Sequence, residues 1–153
     1  MSSQLPSLGF AGIGLMGLPM TRRLLAAGYP LTLWNRTPDK CASLLAQGAH
    51  RVENPAELCR DANVVMLCLA NTEVVREVVF GPGGIVEGAR PGQLLVDFSS
   101  LEPAATREMA AELEARTGMR WVDAPVSGGT PGAEAGTLAI MAGGLEEDVE
   151  RAR

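Results

Sequence analysis

The sequence predicts a doubly wound α/β domain, an open and mainly parallel sheet with helices on both faces, and three observations carry that prediction. Short apolar runs of strand length alternate with amphipathic stretches along residues 1–153, as they do where a helix returns each strand to the same side of a sheet. Val64-Val65-Met66-Leu67-Cys68-Leu69 is apolar without a break, the pattern of a parallel strand covered on both faces. Leu8 to Met20 passes from a strand pattern to a helix pattern through three spaced glycines.

Taken in order, Phe10 to Ile13 ends the first strand, and Met16, Met20, Leu24 and Leu25 then recur at helical spacing until Gly28 offers a stop. Leu31-Thr32-Leu33-Trp34 is the second strand. Thr37 is a candidate N-cap and Pro38 a helix start, Cys41, Leu44 and Leu45 give the following helix an apolar face, and Gly48 ends it. Arg51 and Val52 make a very short strand or extended link, and Asn54 caps a turn opened by Pro55. After the strand from Val64 to Leu69, Asn71-Thr72 begins a helix over Glu73 to Phe80, which Gly81-Pro82-Gly83-Gly84 breaks. Leu94 to Asp97 is a strand, and Pro103 and Gly118 frame a long helix from Glu102 to Thr117 with Met109 and Leu113 inward. Met119 to Asp123 is the next strand. Pro125 to Gly136, dense in glycine and proline, reads as a loop, followed by a strand over Leu138 to Ala142 and an acidic helix start at Glu146-Glu147-Asp148.

Composition narrows the partners. The 153 residues, 46% hydrophobic, suffice for one domain with a sizeable core. A net charge of -5 without a basic run disfavours a nucleic-acid backbone or an anionic membrane as partner. No apolar run approaches the roughly 20 residues that span a bilayer, and Met1-Ser2-Ser3-Gln4 lacks the basic start of a signal peptide, so a cytoplasmic location is expected. Cys41, Cys59 and Cys68 show no C-x-x-C spacing and read as reduced packing thiols.

Gly12-Ile13-Gly14-Leu15-Met16-Gly17, between a strand and a helix, has the G-x-G-x-x-G spacing of a dinucleotide loop. Gly12 would make the sharp turn, Gly14 would let a pyrophosphate approach the backbone, and Gly17 would let the helix pack closely, with the phosphates at the helix N-terminus. In an open parallel sheet ligands collect at the carboxyl ends of the strands, where Gly12, Asn35, Ala70, Ser99 and Ala124 all fall. At the end of the second strand, Trp34-Asn35-Arg36-Thr37 holds no carboxylate for ribose hydroxyls. The cationic fork of Arg36, with Asn35 and Thr37 beside it, suits the 2′-phosphate of NADP rather than NAD. Asp97-Phe98-Ser99-Ser100 offers hydroxyls that either cap the next helix or meet the nicotinamide end of the cofactor. Ser127, with the backbone N–H groups of the following glycines, makes a concave setting for a carboxylate.

These four segments, together with Gly136-Thr137-Leu138-Ala139-Ile140-Met141-Ala142-Gly143-Gly144, resemble the 3-hydroxyisobutyrate dehydrogenase family, whose relatives include tartronate semialdehyde, glyoxylate and succinic semialdehyde reductases. The Trp-Asn-Arg-Thr form is similar to the NADPH-dependent reductases among them. The resemblance implies a Rossmann NADP-binding domain over 1–153. Gly12, Ile13, Gly14, Leu15, Met16 and Gly17 then bind the pyrophosphate, Asn35, Arg36 and Thr37 the 2′-phosphate, Leu69, Ala70 and Asn71 line the cofactor, and Ser100 lies near the nicotinamide ribose. Ser127, Gly128 and Gly129 hold the carboxylate of a small substrate. It also implies a helical second domain bearing a catalytic lysine, which would lie beyond Arg153. Lys40 is the only lysine and falls in the segment matched to the adenosine end, and His50, the only histidine, reads as a solvated surface group, so no catalytic acid or base is assigned within 1–153. The expectation is hydride transfer between NADP(H) and a small carboxylate-bearing alcohol or aldehyde by the complete enzyme. A fragment exposing apolar surface would self-associate as a homo-oligomer or depend on a partner. The alternatives are a non-catalytic dinucleotide-binding module and an NAD-dependent 3-hydroxyisobutyrate dehydrogenase.

Overall fold

A computed structural model describes residues 5–153; Met1–Gln4, the stretch read for a signal peptide, lies outside them. Six parallel strands form one sheet: β1 (Leu8–Ala11), β2 (Leu31–Trp34), β3 (His50–Arg51), β4 (Val64–Leu67), β5 (Leu94–Asp97) and β6 (Arg120–Asp123). They lie in the order β3-β2-β1-β4-β5-β6, so the chain winds outward in one direction from β1 and then in the other from β4. This is the Rossmann arrangement, with its topological switch point between β1 and β4. The register aligns Trp34, Ala11, Leu67, Asp97 and Asp123 in one row at the carboxyl ends of the strands. Whatever follows each of these residues therefore stands on a common rim.

Side chains alternate across the sheet because successive residues of a strand point to opposite faces. Val65, Leu67 and Leu95 face one apolar cluster, which Val75 and Val79 of α3 (Thr72–Phe80) and Met109 and Leu113 of α5 (Pro103–Thr117) complete. Phe10, Leu33, Val96 and Val122 face the other, where Leu18, Met20 and Leu24 of α1 (Gly17–Ala26) cover them in part. Caps fix where these helices begin. The Asn71 carboxamide accepts from the Val74 N–H at 3.0 Å at the start of α3, and Asn54 accepts from the Glu57 N–H at 3.1 Å at the start of a 3-10 turn over Pro55–Cys59. Pro103 opens α5 and Gly118, at φ +81°, closes it.

Several boundaries differ from the sequence expectation. Thr37 makes no side-chain cap; Pro38–Cys41 is a single 3-10 turn leading into the short α2 (Ala42–Leu45). The strand expected to reach Leu69 stops at Leu67, because Cys68 N–H closes the last ladder bond to Ala11 and the chain then turns along the rim. An additional turn of helix, α4 (Ile85–Gly88), follows the glycine break and buries Ile85. The expected loop over Pro125–Gly136 instead contains β7 (Val126–Ser127) and α6 (Gly129–Ala135). A proline in its first turn and Gly136 in the left-handed region at its end are ordinary helix punctuation that the glycine density concealed. The expected strand over Leu138–Ala142 shrinks to β8 (Ala139–Ile140), which pairs antiparallel with β7 outside the main sheet. Met141 N–H donates to Pro125 C=O, so this segment folds back on the exit of β6 rather than joining it as a new parallel strand. The chain closes with α7 (Glu146–Ala152), which Arg120 of β6 ties down through Glu147 and Asp148.

Candidate dinucleotide site

The turn between β1 and α1 lies at the switch point. Gly12 has φ +104°, and a Cβ there would stand 2.1 Å from the Cys68 carbonyl oxygen, so only glycine fits between β1 and β4. At Gly17 a Cβ would stand 1.8 Å from the Gly12 carbonyl oxygen; the first turn of α1 thus packs on the loop itself as well as on the sheet. Gly14 differs from both. Its missing side chain faces open space, with nothing within 4 Å, which leaves the backbone bare where a diphosphate would approach the N-terminal end of α1. Leu15 beside it is exposed and Met16 half-buried, while Ile13 is buried beneath. The residues present fit a dinucleotide: a bare backbone cradle at a helix start, with no side chain filling it.

Beside the cradle is a hollow of about 250 Å³, lined among others by Trp34, Arg36, Leu69, Val74 and Val78. Its size and its mixed apolar and cationic lining suit an adenosine. Asn35 is held in place by both ends of its carboxamide. Its Oδ1 accepts from the Ile13 N–H at 2.8 Å and its Nδ2 donates to the Thr37 carbonyl at 2.9 Å, so the carboxamide braces the glycine loop against the end of β2. Thr37 is exposed, and Arg36 reaches across to Glu77 of α3, where Nη2 and Oε2 lie 2.9 Å apart. Glu77 has no part in the motif pattern and went unnoticed in the sequence.

Leu69, Ala70 and Asn71 follow β4 along the rim, with Asn71 committed to capping α3. Of the two serines after β5, Ser100 is exposed and Ser99 buried. Neither caps α5, whose N-cap is Glu102. Ser99 Oγ accepts from the Leu69 N–H at 2.8 Å, and the Ser99 N–H donates to Asp97 Oδ1 at 2.9 Å, so a short polar chain stitches the ends of β4 and β5 together. The other Asp97 oxygen is buried with no partner among the described residues. Burial pushes the Asp97 carboxyl up to about 6; the bonds from Ser99 oppose the shift and the charge of Asp123 adds to it. Burial, and then the Asp97 charge, pushes the adjacent Cys68 thiol up to about 11, which keeps it protonated and unreactive at neutral pH. Asp97 has a pKa suited to proton transfer, yet none of its surface is exposed and a substrate cannot touch it.

Further along the rim, Ser127, Gly128 and Gly129 are exposed where β7 passes into α6. Gly128 at φ +135° and Gly129 at φ +60° hold conformations that side chains disfavour. A separate hollow of about 590 Å³ lies over β4, β5 and β6, where Met66, Val96 and Val122 form an apolar floor and Ile140, Val149 and Arg153 stand at its sides. Lys40, expected at the adenosine end, lines a hollow of about 400 Å³ with Gly14, Leu15, Arg22 and Thr130, on the α1 side of the cradle. No group of three or more His, Cys, Asp or Glu residues with metal-binding geometry occurs among the described residues, and no described helix is long and apolar enough to cross a membrane.

A glycine cradle at the switch point of this topology defines a nicotinamide dinucleotide-binding domain, and comparison with known proteins agrees. Residues 7–153 match the family model described as the NAD binding domain of 6-phosphogluconate dehydrogenase. The 2-(hydroxymethyl)glutarate dehydrogenase of Eubacterium barkeri is 40% identical over 144 residues, covering 94% of this chain and 48% of that protein. The solved Mycobacterium tuberculosis 3-hydroxyisobutyrate dehydrogenase with L-serine superposes with a TM-score of 0.89 at 36% identity, covering 97% of this chain and 50% of that one. Psf3 in complex with NADP+ and 2-OPP gives a TM-score of 0.89 at 34% identity, over 94% of this chain and 51% of that one. The chain belongs to the 3-hydroxyisobutyrate dehydrogenase family, of which it carries the dinucleotide-binding domain. It spans about half the length of these relatives.

Proposed function

We propose that residues 1–153 form the NADP-binding domain of a hydroxyacid dehydrogenase or semialdehyde reductase, which moves a hydride between NADP(H) and a small carboxylate-bearing alcohol or aldehyde. The observation that carries the cofactor preference is the wall of the adenosine hollow, where the end of β2 presents the Arg36 guanidinium and no carboxylate. The relative that holds NADP+ supports the same preference. In this reading Gly12–Gly17 cradles the pyrophosphate, Asn35, Arg36 and Thr37 meet the 2′-phosphate, Leu69, Ala70 and Asn71 line the cofactor, and Ser100 lies near the nicotinamide ribose. Ser127, Gly128 and Gly129 hold the substrate carboxylate. The cofactor supplies the hydride chemistry, and these residues bind and orient it.

Carbonyl reduction also needs a proton, and no exposed group on the Ser127 side is assigned to give one. We assign that role to a lysine outside residues 1–153, on a helical domain that closes over the hollow above β4, β5 and β6. Turnover of glyoxylate and succinic semialdehyde with NADPH tests this. The 153-residue chain should bind cofactor yet run at least about 10² to 10⁴ slower than a chain carrying such a domain fused after Arg153. Equal turnover would mean that a residue already present transfers the proton, Ser127 being the first to replace. Undetectable turnover in both, with cofactor still bound, would favour a non-catalytic dinucleotide-binding module.

A further inference from the structure

The motif pattern leaves one charged group at the adenosine hollow without a role. Glu77 sits on α3, whose Val74 and Val78 line the hollow while Val75 and Val79 point into the core. That places Glu77 at the edge of the lining face, opposite the end of β2. Arg36 comes from the other wall, and their ion pair at 2.9 Å, with both side chains 66% exposed, joins the end of β2 to α3 beside the hollow. The carboxylate missing from the end of β2 is thus supplied from across the site, on a different element.

We propose that Glu77 sets the cofactor specificity of this site by competing with the 2′-phosphate of NADP(H) for the Arg36 guanidinium. This role presupposes that Arg36 is the 2′-phosphate ligand. A guanidinium presents a limited fork of donors, and those turned toward Glu77 are withdrawn from a phosphate. An exposed ion pair is weak and a 2′-phosphate carries more charge than a carboxylate, so the phosphate displaces Glu77 rather than being excluded by it. The consequence is a tempered preference: NADP(H) gives up part of its contact energy to break the pair, and NAD(H), which does not use Arg36, gives up none.

The test is fluorescence titration of NADPH and NADH into the 153-residue chain and its Glu77→Gln, Arg36→Ala and doubly substituted forms. Adenosine 2′,5′-bisphosphate and AMP serve as competitors that lack the nicotinamide half. Glu77→Gln should tighten NADPH and the bisphosphate about three- to tenfold while leaving NADH and AMP within twofold, and most of that gain should vanish when Arg36 is also Ala. Unchanged or weaker NADPH binding in Glu77→Gln, with Arg36→Ala still selectively harming NADPH, overturns the role of Glu77 and leaves the 2′-phosphate site standing. An equal gain with and without Arg36 overturns the competition, because Glu77 would then act on the phosphate directly. A selective loss of NADH in Glu77→Gln overturns it as well, marking Glu77 as a ribose-hydroxyl acceptor. If Arg36→Ala weakens NADPH and NADH alike, the 2′-phosphate site itself is refuted.

Discussion

The two halves of the rim are built differently. Around β1, β2 and β4 the polar groups are committed to one another: Asn35 to Ile13 and Thr37, Asn71 to Val74, Leu69 to Ser99. Beyond β5, Ser127 and both its following glycines are exposed, Ile140 and Met141 are 52% and 63% exposed, and a hollow with an apolar floor stands open. The first half is preorganised by contacts within the chain, so binding there needs little ordering. The second holds exposed apolar side chains, Ile140 and Met141, of the kind that a further domain or another chain covers. Cofactor binding and catalysis should therefore be separable in this protein.

The largest effect on the first half should come from Gly17→Ala. The added methyl meets backbone rather than a flexible side chain, so the loop and α1 must move apart, and NADPH affinity should fall by two orders of magnitude or more. Calorimetry should show the melting temperature lowered by several degrees, since about 1 kcal/mol shifts a domain of this size by roughly 2–4 °C. The same replacement at Gly14, which meets no atom, should leave the fold untouched and weaken the cofactor alone. Equal behaviour of the two would break the distinction between packing and approach.

Asp97 sharpens the comparison through pH. Its folded carboxyl titrates at about 6, above its ordinary value of 3.8, so the folded state holds the proton more tightly than the unfolded one. The sign follows: stability from this group is fully present near pH 4 and below, and is lost as pH rises toward and through 6. The loss is on the order of 3 kcal/mol at most, and the raised pKa of Asp123 acts in the same direction. Asp97→Asn keeps an acceptor for the Ser99 N–H. Denaturation measured from pH 4 to 8 should show a flatter profile for Asp97→Asn and greater stability than the parent above pH 6. A parent profile that rises with pH through this window would contradict the burial argument.

Smaller effects should follow at Ser99 and Arg36. Ser99→Ala leaves the Leu69 N–H without its acceptor, at a cost of about 1–3 kcal/mol in stability. Arg36 lies on the surface, so Arg36→Ala should spare stability and cost NADPH about 1.5–3 kcal/mol of binding with little change for NADH.

What the sequence disclosed and what it hid divide along the same line. The glycine loop, β1 to β6 and their common rim follow from local rules: apolar runs, proline and glycine punctuation, and a parallel sheet that needs helical crossovers. Leu138–Ala142 misled because an apolar run normally means a buried strand, whereas here Ile140 and Met141 border an open surface. Asn35 and Ser99 are legible as rim residues but their bonds to Ile13 and Leu69 are not, since those partners lie in the turns after other strands and only the folded register brings them together. Glu77 was hidden for the same reason, being 41 residues from Arg36.

If Gly12–Gly17 and Arg36 act as proposed, the 153 residues alone bind NADP(H) in preference to NAD(H). Fluorescence titration of NADPH and NADH into the 153-residue protein, at one fixed ionic strength, tests it most directly. Saturable NADPH binding at a single site per chain is expected, with NADH about tenfold or more weaker. Equal affinities for the two cofactors, or no saturable binding of either, would contradict it.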